Sequence, residues 1–469
     1  MSQLDHAEKY KDRIIKDLQG LIKIRSVDGE RKEGRPFGDG VHEALMYMLD
    51  KGKELGLTTK NIDNYAGHIE IGEGEEIVGV LVHLDIVAEG SGWDMDPFGG
   101  EIIDGKLFGR GAVDNKGPAI VSLYALKTIV DAGIKLHRRV RLILGTNEET
   151  AEWGGINYYI QKEEMPHMAF VPDGEFPVIQ GEKGILIFDL VKKIGLSTET
   201  GIKLKSIEGG NAPNMVPDFC KAVLIAKDYR PIMDAIEQFN KERDYSIKYK
   251  MQGKGIQISA AGVSAHGSTP EKGINAISIM IQFLGKLTFD NDSIQDFIKF
   301  YNDKIGMDIH GERIGCYFKD DISGELIFNL GQIKVDEKTI GMTVNIRAPL
   351  HTDMEDIYAG IRSVIDEHSF GIIKKHYQGP IYLESDHPVI KALMKVYQKH
   401  TQDYESKPKV IGGGTYARAI ENAVAFGPRL VDGPSVEHQK NEYIEIEHLM
   451  TLFRIYTDAI LELANETEG

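Results

Sequence analysis

The sequence predicts an α/β protein in which a mostly parallel-sheet domain is interrupted by an inserted α+β domain. Over residues 1–180, short apolar runs alternate with amphipathic helical patterns, which is typical of a parallel sheet covered by helices. After "GEKG" (181–184), strand-like runs recur with helical patterns between them, which indicates an antiparallel α+β segment. Helical patterns return beyond "GPIYLES" (379–385), so the simplest arrangement is one α/β domain split by a second domain.

The first domain is predicted from the spacing of its apolar residues. Apolar residues three and four positions apart predict helices, and short continuous apolar runs predict strands that are buried on both faces. The predicted helices are 3–25, 39–55, 116–134 and 154–164, and the predicted strands are 75–83, 138–146 and 167–172. Because strand and helix alternate along the chain, these strands are expected in one mostly parallel sheet.

The inserted segment contains its own strands and helices. The strand-like runs are "ILIFDLVKK", "CKAVLIA", "KGIQISAAGV", "GELIFNLGQIKV" and "GMTVNIRA". Helices are predicted at about 230–242, 272–288, 293–304 and 354–367, and two more follow the insertion at 388–400 and 446–464. The predicted bounds are therefore 1–182 and 385–469 for the two parts of the first domain, with 183–384 as the insertion.

Composition and charge restrict the partners and the compartment. The chain has 469 residues, enough for two or three domains, and its composition is ordinary for a soluble globular protein. A net charge of -17 disfavours binding to nucleic acid or to anionic membranes. The two cysteines, Cys220 and Cys316, form no disulfide framework, and the charged N-terminus lacks the apolar core of a signal peptide. No apolar run approaches the roughly 18 residues of a membrane span. We therefore expect a cytoplasmic protein.

Potential metal ligands follow each buried strand of the first domain. His83 and Asp85 follow "VGVLV", Glu148 and Glu149 follow "RLILGT", and Asp173 follows "MAFVP". A further acid, Asp114, lies where the glycine-rich segment "GRGAVDNKG" enters a helix. In parallel α/β sheets ligands gather at the carboxyl ends of the strands. Acids placed together there repel each other unless a cation joins them, and imidazole with carboxylate suits zinc or a similar divalent ion.

Each of these residues has an ordinary interpretation when it is taken alone. A His-x-Asp after a strand is usually a loop with a solvated acid. Asp114 could cap a helix, and the pair Glu148–Glu149 could begin one, where acids favour the positive end of the dipole. Asp173 could be a turn residue, since Pro-Asp-Gly is strong turn chemistry. Their occurrence together at strand ends favours a metal site.

At this point the sequence resembles a known group of enzymes, the di-zinc metallopeptidases that include aminoacylase, carboxypeptidase G, peptidase T and the bacterial PepV-type dipeptidases. The resemblance covers nearly the whole chain. Its motifs are "HLDIV" (83–87), "GRGAVDNKG" (109–117), "NEE" (147–149), "PDGEFP" (172–177), "GVSAHGSTPEKGINA" (262–276) and "SVEHQKNE" (435–442). "NMVPD" (214–218) and the long insertion resemble the PepV-type dipeptidases in particular.

The resemblance implies a role for each candidate ligand. One metal ion would be held by His83 and Asp173, and the other by Glu149 and His438. Asp114 would bridge the two ions. Asp85 would hydrogen-bond the outer nitrogen of His83 and so fix the tautomer and orientation of the ring. Glu148 would face the water between the ions as general base and would not be a metal ligand.

The inferred reaction is hydrolysis of a peptide bond. The two ions would acidify the water, and Glu148 would accept its proton and later pass it to the leaving amine. The tetrahedral oxyanion needs a second donor, and the resemblance gives that role to His266 in the inserted domain. A lone histidine in this position would more often be a surface residue.

Substrate-binding residues are predicted at three places. Arg347 ends the strand "GMTVNI" and could pair with a substrate carboxylate through two hydrogen bonds, with an ordinary surface salt bridge as the alternative. Asn214 resembles the substrate-contacting asparagine of the family. The glycine-rich run before a predicted helix, with Gly413, Gly414 and Thr415, could cradle a carboxylate through its backbone donors, with a plain loop as the alternative.

Two details indicate short peptides with a free amine. Asp173 stands where carboxypeptidase-like members have glutamate, and aspartate is typical of members that handle a free α-amine. The insertion is long enough for two ferredoxin-like lid units in tandem, which resembles the PepV-type lid and permits a monomer. The predicted function is therefore a cytoplasmic, monomeric dipeptidase with two divalent ions, zinc first, with manganese or cobalt as alternatives. The rival interpretations are an N-acyl amino acid hydrolase and a relative that binds peptides without catalysis.

Overall fold

The structure is a computed structural model that describes residues 3–150, 152–195, 201–243 and 245–465. It contains two compact units. Unit 1 consists of residues 1–180, 383–409 and 414–469, and unit 2 consists of residues 181–382 and 410–413. Residues 410–413 therefore cluster with unit 2, whereas the sequence-based division puts them in the second part of the first domain.

The helices begin and end close to the positions that the apolar spacing predicts. The α-helices in the described part of the chain are α1 (Gln3–Ile22), α2 (Asp39–Glu54), α3 (Lys116–Asp131), α4 (Gly154–Lys162), α5 (Arg230–Glu242), α6 (Ala276–Leu284), α7 (Asp292–Lys304), α8 (Met354–Ile365), α9 (Pro388–Thr401) and α10 (Ile446–Asn465). Short 3₁₀ turns occupy Pro270–Lys272, Asp366–His368 and Tyr416–Ala419. None of these helices combines the length and apolar character needed to cross a membrane.

The strands are more numerous than the apolar runs indicate, because several are only two or three residues long. Those of the first half are β1 (Thr58–Ile62), β2 (Ala66–Ile71), β3 (Ile77–His83), β4 (Ile102–Ile103), β5 (Lys106–Phe108), β6 (Arg139–Gly145), β7 (Met168–Val171), β8 (Gly174–Glu175), β9 (Ile179–Glu182), β10 (Gly184–Lys193), β11 (Lys203–Gly209) and β12 (Phe219–Ile225). The remainder are β13 (Ile247–Gln252), β14 (Gly255–Ala261), β15 (Lys319–Asp320), β16 (Gly324–Glu325), β17 (Ile327–Val335), β18 (Thr339–Ala348), β19 (Gly371–Gln378), β20 (Ile381–Tyr382), β21 (Lys409–Ile411), β22 (Ala423–Ala425), β23 (Pro428–Arg429) and β24 (Tyr443–Glu445).

Unit 1 is built on a mixed sheet whose central strands are parallel. The strand order is β1-β2-β6-β3-β7-β22, followed by β9. The pairs β6/β3, β3/β7 and β7/β22 are parallel, and the pairs toward both ends are antiparallel. All seven residues of β3 are buried, which is why its sequence is continuously apolar. The predicted α/β class is confirmed, with a sheet that is parallel at its centre.

Unit 2 contains an eight-stranded antiparallel sheet in the order β13-β14-β12-β11-β17-β18-β10-β19. In chain order, β10, α7, β17, β18, α8 and β19 form the β-α-β-β-α-β pattern of a ferredoxin-like unit. The other half contributes four strands and two helices, α5 and α6. Unit 2 therefore carries two four-stranded halves side by side in one antiparallel sheet with helices, which is an α+β arrangement.

Each unit has its own hydrophobic core, as expected for separate domains.

One helix is shorter in the structure than its apolar pattern predicts. The pattern over 272–288 divides into a 3₁₀ turn and α6, because Asn275 caps α6 by accepting hydrogen bonds from Ile277 N at 2.9 Å and Ser278 N at 3.3 Å.

Candidate metal centre

The sheet of unit 1 brings the predicted ligands to one edge. Strands β6, β3 and β7 are neighbours and run parallel, so their carboxyl ends lie side by side. His83 is the last residue of β3, Glu148 and Glu149 follow β6, and Asp173 follows β7. The position of these acids is thus a consequence of strand direction, as expected for ligand sites in α/β sheets.

His83 lies at the centre of the cluster and is almost fully buried, with 1% of its side chain exposed. Its Nε2 lies 2.8 Å from Asp114 Oδ1 and 3.8 Å from Asp173 Oδ2. Its Nδ1 lies 2.9 Å from the backbone oxygen of Asp85. A hydrogen bond from Nδ1–H to that oxygen leaves the Nε2 lone pair directed at the acids, which is the tautomer that a metal ligand needs.

The side chain of Asp85 has a different partner from the predicted one. Its Oδ1 is 3.7 Å from His83 Nδ1, too far for a hydrogen bond, and the backbone oxygen makes that contact instead. Its Oδ2 accepts hydrogen bonds from the backbone N–H groups of Glu148 at 2.8 Å and Glu149 at 2.9 Å. Asp85 thus orients the turn that carries both glutamates.

His438 lies next to two of the predicted acidic ligands. His438 Nε2 lies 3.0 Å from Asp114 Oδ2 and 3.0 Å from Glu149 Oε2. The two oxygens of Asp114 therefore face different histidines, Oδ1 toward His83 and Oδ2 toward His438. His438 is 48% exposed, so the centre is open on this side.

The donor set fits a pair of divalent cations. Two groups of side chains each hold ligand atoms within 4.8 Å of one another, and they share His83. One group consists of His83, Asp114 and Glu149. The other consists of His83, Glu148 and Asp173. The buried Glu149 Oε1 has no hydrogen-bond partner among the described residues, as expected for an atom that ligates an ion. Nitrogen and carboxylate oxygen donors suit zinc and similar first-row ions.

The pKa values of the acids show how strongly they depend on positive charge. Burial raises the pKa of Glu148 well above its ordinary value, and the Asp173 carboxylate adds to this. Burial and the Asp114 carboxylate raise the pKa of Glu149 to about 7. Burial also acts to raise the pKa of Asp114, but hydrogen bonds from His438 and His83 outweigh it and hold that pKa below its ordinary range. Positive charge brought close to these acids would lower the raised pKa values and favour the ionised carboxylates.

The predicted substrate-binding residues fall in both units. Asn214, His266 and Arg347 lie in unit 2 with Gly413, whereas Gly414 and Thr415 lie in unit 1. The prediction that the glycine-rich run precedes a helix is corrected, because the run is followed by the four-residue 3₁₀ turn Tyr416–Ala419 and not by an α-helix. Thr415 caps that turn by accepting a hydrogen bond from Ala417 N at 3.1 Å.

Within unit 2, His266 contacts Ser268, Arg347 lies near Gly412, and Asn214 contacts Gly267. Gly267 N donates a 2.7 Å hydrogen bond to Asn214 O, next to His266. A Cβ at Gly412 would lie 2.9 Å from Ser268 Cβ and 3.5 Å from Arg347 Cγ. This close approach requires glycine at position 412.

The structure also shows residues near the centre that motif spacing did not single out. Tyr416 is fully buried, its ring lies edge-on to His83 with 6.4 Å between centroids, and its hydroxyl accepts a hydrogen bond from Asn147 N at 3.4 Å. Glu442 and Arg110 form a buried ion pair at 2.8 Å. Glu442 lies in the motif "SVEHQKNE", four residues after His438, but no periodicity distinguishes it from a solvent-exposed acid.

The chain is similar in sequence to known peptidases. A family model described as "Peptidase family M20/M25/M40" matches residues 79–462. A Bacillus subtilis (strain 168) protein named "Putative dipeptidase YtjP" is 38% identical over 460 residues, covering 97% of this chain and 98% of that protein. A Staphylococcus epidermidis protein named "Putative dipeptidase" is 37% identical over 465 residues, covering 98% of each.

Solved structures share the fold at much lower sequence identity. Human carnosine dipeptidase 1 aligns with a TM-score of 0.59 and 14% identity, over 98% of both chains. The dipeptidase Dug1p from Saccharomyces cerevisiae aligns with a TM-score of 0.60 and 12% identity, over 99% of this chain and 98% of that one. At such identities the likeness shows the fold alone.

Proposed function

Since this chain belongs to peptidase family M20/M25/M40, we propose that it hydrolyses unblocked dipeptides with the help of two metal ions. Membership makes the chain a metallopeptidase, while the dipeptide substrate, the two ions and the residue roles are our proposal. The observation that carries it is Asp114, whose two carboxylate oxygens lie 2.8 Å and 3.0 Å from two different histidines. One carboxylate between two ligand sets is the arrangement expected of a bridging ligand. The names of the sequence relatives support dipeptides as substrates.

We propose that the residues of unit 1 have two roles in hydrolysis, holding the ions and transferring a proton. His83 and Asp173 would hold one ion, Glu149 and His438 the other, and Asp114 both. The bound ions would supply Lewis acidity, which would lower the pKa of water and polarise the peptide carbonyl. Glu148 accepts the proton of the attacking water and returns it to the leaving amine, which is general acid–base catalysis by one carboxyl. Zinc is the proposed ion because its usual donors are those present here.

His266 is the proposed donor to the tetrahedral oxyanion. Ser268 N donates a 3.2 Å hydrogen bond to His266 Nδ1, so a neutral ring carries its hydrogen on Nε2. This tautomer makes Nε2–H a donor without a net charge on the ring. A neutral donor that is already oriented can stabilise developing negative charge with little reorganisation.

Arg347 is the proposed partner of the substrate carboxylate. Its side chain is 4% exposed, and its Nε donates a 2.9 Å hydrogen bond to Asn345 Oδ1. This contact fixes the plane of the guanidinium, whose terminal nitrogens suit two parallel hydrogen bonds to a carboxylate. Asn214 lies beside the His266 loop and is proposed to contact the same substrate.

We also propose a cytoplasmic monomer. Two cysteines, both buried and unpaired, suit a reducing compartment. Unit 2 carries two four-stranded halves within one chain, and a lid of this size allows a single chain to supply its own His266.

A panel of substrates on metal-stripped protein tests the proposal. We expect turnover of Ala-Ala after zinc, manganese or cobalt is added separately, and little or none of N-acetyl-Ala or of Ala-Ala amide, which lacks the carboxylate for Arg347. Faster hydrolysis of N-acetyl-Ala than of Ala-Ala would instead identify an N-acyl amino acid hydrolase. The absence of turnover with every ion would leave a peptide-binding relative without catalysis.

His266→Ala is expected to lower kcat by about 10²–10³-fold without changing the metal content, the usual scale for one oxyanion donor. Elemental analysis and kcat on Ala-Ala measure the two quantities. His351 is an exposed histidine of unit 2, so His351→Ala is the matched control.

Mixing His266→Ala with Glu148→Ala protein tests whether one chain supplies the whole site. Substantial recovery of activity in the mixture would contradict it, because only a site shared between chains allows complementation.

A further inference from the structure

Glu442 is a buried acid whose two carboxylate oxygens both accept hydrogen bonds from protein groups. Its side chain is 0% exposed. Oε2 accepts hydrogen bonds from Arg110 Nη1 at 2.8 Å and from Gly111 N at 3.0 Å. Oε1 accepts hydrogen bonds from Val113 N at 2.9 Å and from Asp114 N at 3.2 Å. One carboxylate thus fixes the backbone of the loop that ends in the proposed bridging ligand.

The same segment carries the exposed ligand of the centre. His438 lies four residues before Glu442, and its Nε2 is 3.0 Å from Asp114 Oδ2. The backbone oxygen of Glu442 also accepts a 2.9 Å hydrogen bond from Gly109 N. Segment 438–442 therefore contacts loop 109–114 at two points, at the ligand atoms and along the backbone.

The backbone of this segment needs such support. His438 has φ 61° and Asn441 has φ 59°, a left-handed conformation that side chains other than glycine rarely adopt. Asn441 is fixed by Asp94, whose N–H donates to Asn441 Oδ1 at 2.9 Å and whose Oδ2 accepts from Asn441 Nδ2 at 2.6 Å. Uncommon backbone conformations persist at functional sites where surrounding contacts over-determine them.

We propose that Glu442 is a positioning residue that sets the distance between Asp114 and His438 and thereby tunes the ion held by Glu149 and His438. This inference rests on the two-ion site of the proposed function. Glu442 has no contact with the reacting atoms, and it acts through the two ligands that it holds. The ion held by His83 and Asp173 should be less sensitive, because these two ligands lie at the ends of β3 and β7 and only its third ligand, Asp114, is held by Glu442.

Glu442→Gln and Glu442→Asp test the inference. Glutamine keeps the shape but directs an amide N–H₂ at groups that are themselves donors, and aspartate keeps the charge but is too short to reach all four donors. Zinc affinity is measured by chelator competition on metal-stripped protein. We expect the second zinc ion to bind about 10–100-fold more weakly, the usual effect of losing a partner of a metal ligand. The first zinc ion should be weakened less, because Asp114 is the only one of its proposed ligands that Glu442 holds. Excess zinc should restore kcat, and KM for Ala-Ala should not change.

Glu447→Gln is the matched control, because Glu447 lies in the first turn of α10, five residues after Glu442, and its side chain is 85% exposed. Two unchanged zinc affinities in both variants would overturn the inference, as would equal weakening of both ions. Failure of both variants to fold would make Glu442 a structural residue and would also overturn it. A wild-type chain that binds two zinc ions but cleaves no dipeptide would refute the proposed function, while the zinc affinities would still decide the role of Glu442.

Discussion

Glu148→Ala is expected to retain both metal ions and to lose about 10²–10⁴-fold in kcat, the usual loss for a general base. Glu148 and Glu149 are adjacent, but only Glu149 contacts His438, with 3.0 Å between Oε2 and Nε2. Burial and the Asp173 carboxylate raise the pKa of Glu148 well above its ordinary value. Two cations nearby would lower that pKa again, toward the range in which a carboxylate exchanges protons near neutral pH.

The prediction separates two possible roles of Glu148. Its carboxylate lies with His83 and Asp173 in a group that could itself hold an ion. If Glu148 is a ligand, the alanine variant should lose metal as well as activity, and elemental analysis would reveal the loss. Glu152→Ala, an exposed acid on the same loop, controls for the change in local charge. Retention of both ions with kcat unchanged would contradict the general-base assignment.

Asp114→Ala is expected to lose more metal than any other single ligand change. Each of its oxygens faces a different histidine, at 2.8 Å and 3.0 Å, so its removal weakens both ion sites at once. It also removes the negative charge that separates the two cations, which repel each other more strongly across a buried gap than in water. The loss in zinc affinity should exceed the roughly 10–100-fold that follows from removing a partner of a ligand.

Zinc content after dialysis is the measurement, with Asp173→Ala and Glu149→Ala as comparisons. Each of these residues is assigned to one ion, so each variant should retain the other ion better than Asp114→Ala does. Glu101→Ala, an exposed acid that precedes β4, is the control for a lost negative charge. Two fully occupied ion sites in a crystal structure of Asp114→Ala would contradict a bridging role.

The candidate ligands could be found from sequence because they depend on local features. A continuously apolar run such as β3 predicts a buried parallel strand, and strand direction then determines which residues reach the sheet edge. His83 ends β3, and Glu149 and Asp173 lie within four residues of the ends of β6 and β7, so a correct strand end is enough to locate them. Helix bounds were predicted well for the same reason, since apolar spacing is a property of the segment itself.

Other features could not be predicted, because they depend on contacts between distant segments. The family resemblance implied that the Asp85 carboxylate holds His83, but the turn gives that contact to the backbone oxygen of Asp85. The carboxylate instead accepts from the N–H groups of Glu148 and Glu149, 63 and 64 residues away. Only the packing of β3 beside β6 determines this exchange of partners.

The sequence by itself determined the α/β class, the insertion and the set of acids and histidines that a metal site needs, because periodicity and motifs are local. Only the tertiary structure decided how that set is held. The Glu442 carboxylate contacts residues 110–114 across 328–332 residues of chain, and nothing in its neighbourhood in sequence distinguishes it from an exposed acid. Its burial beside Arg110 arises when β24 pairs with β5 and brings the two loops together. A buried carboxylate is stable only if it accepts hydrogen bonds, and the donors to Glu442 come close to it only after the chain has folded.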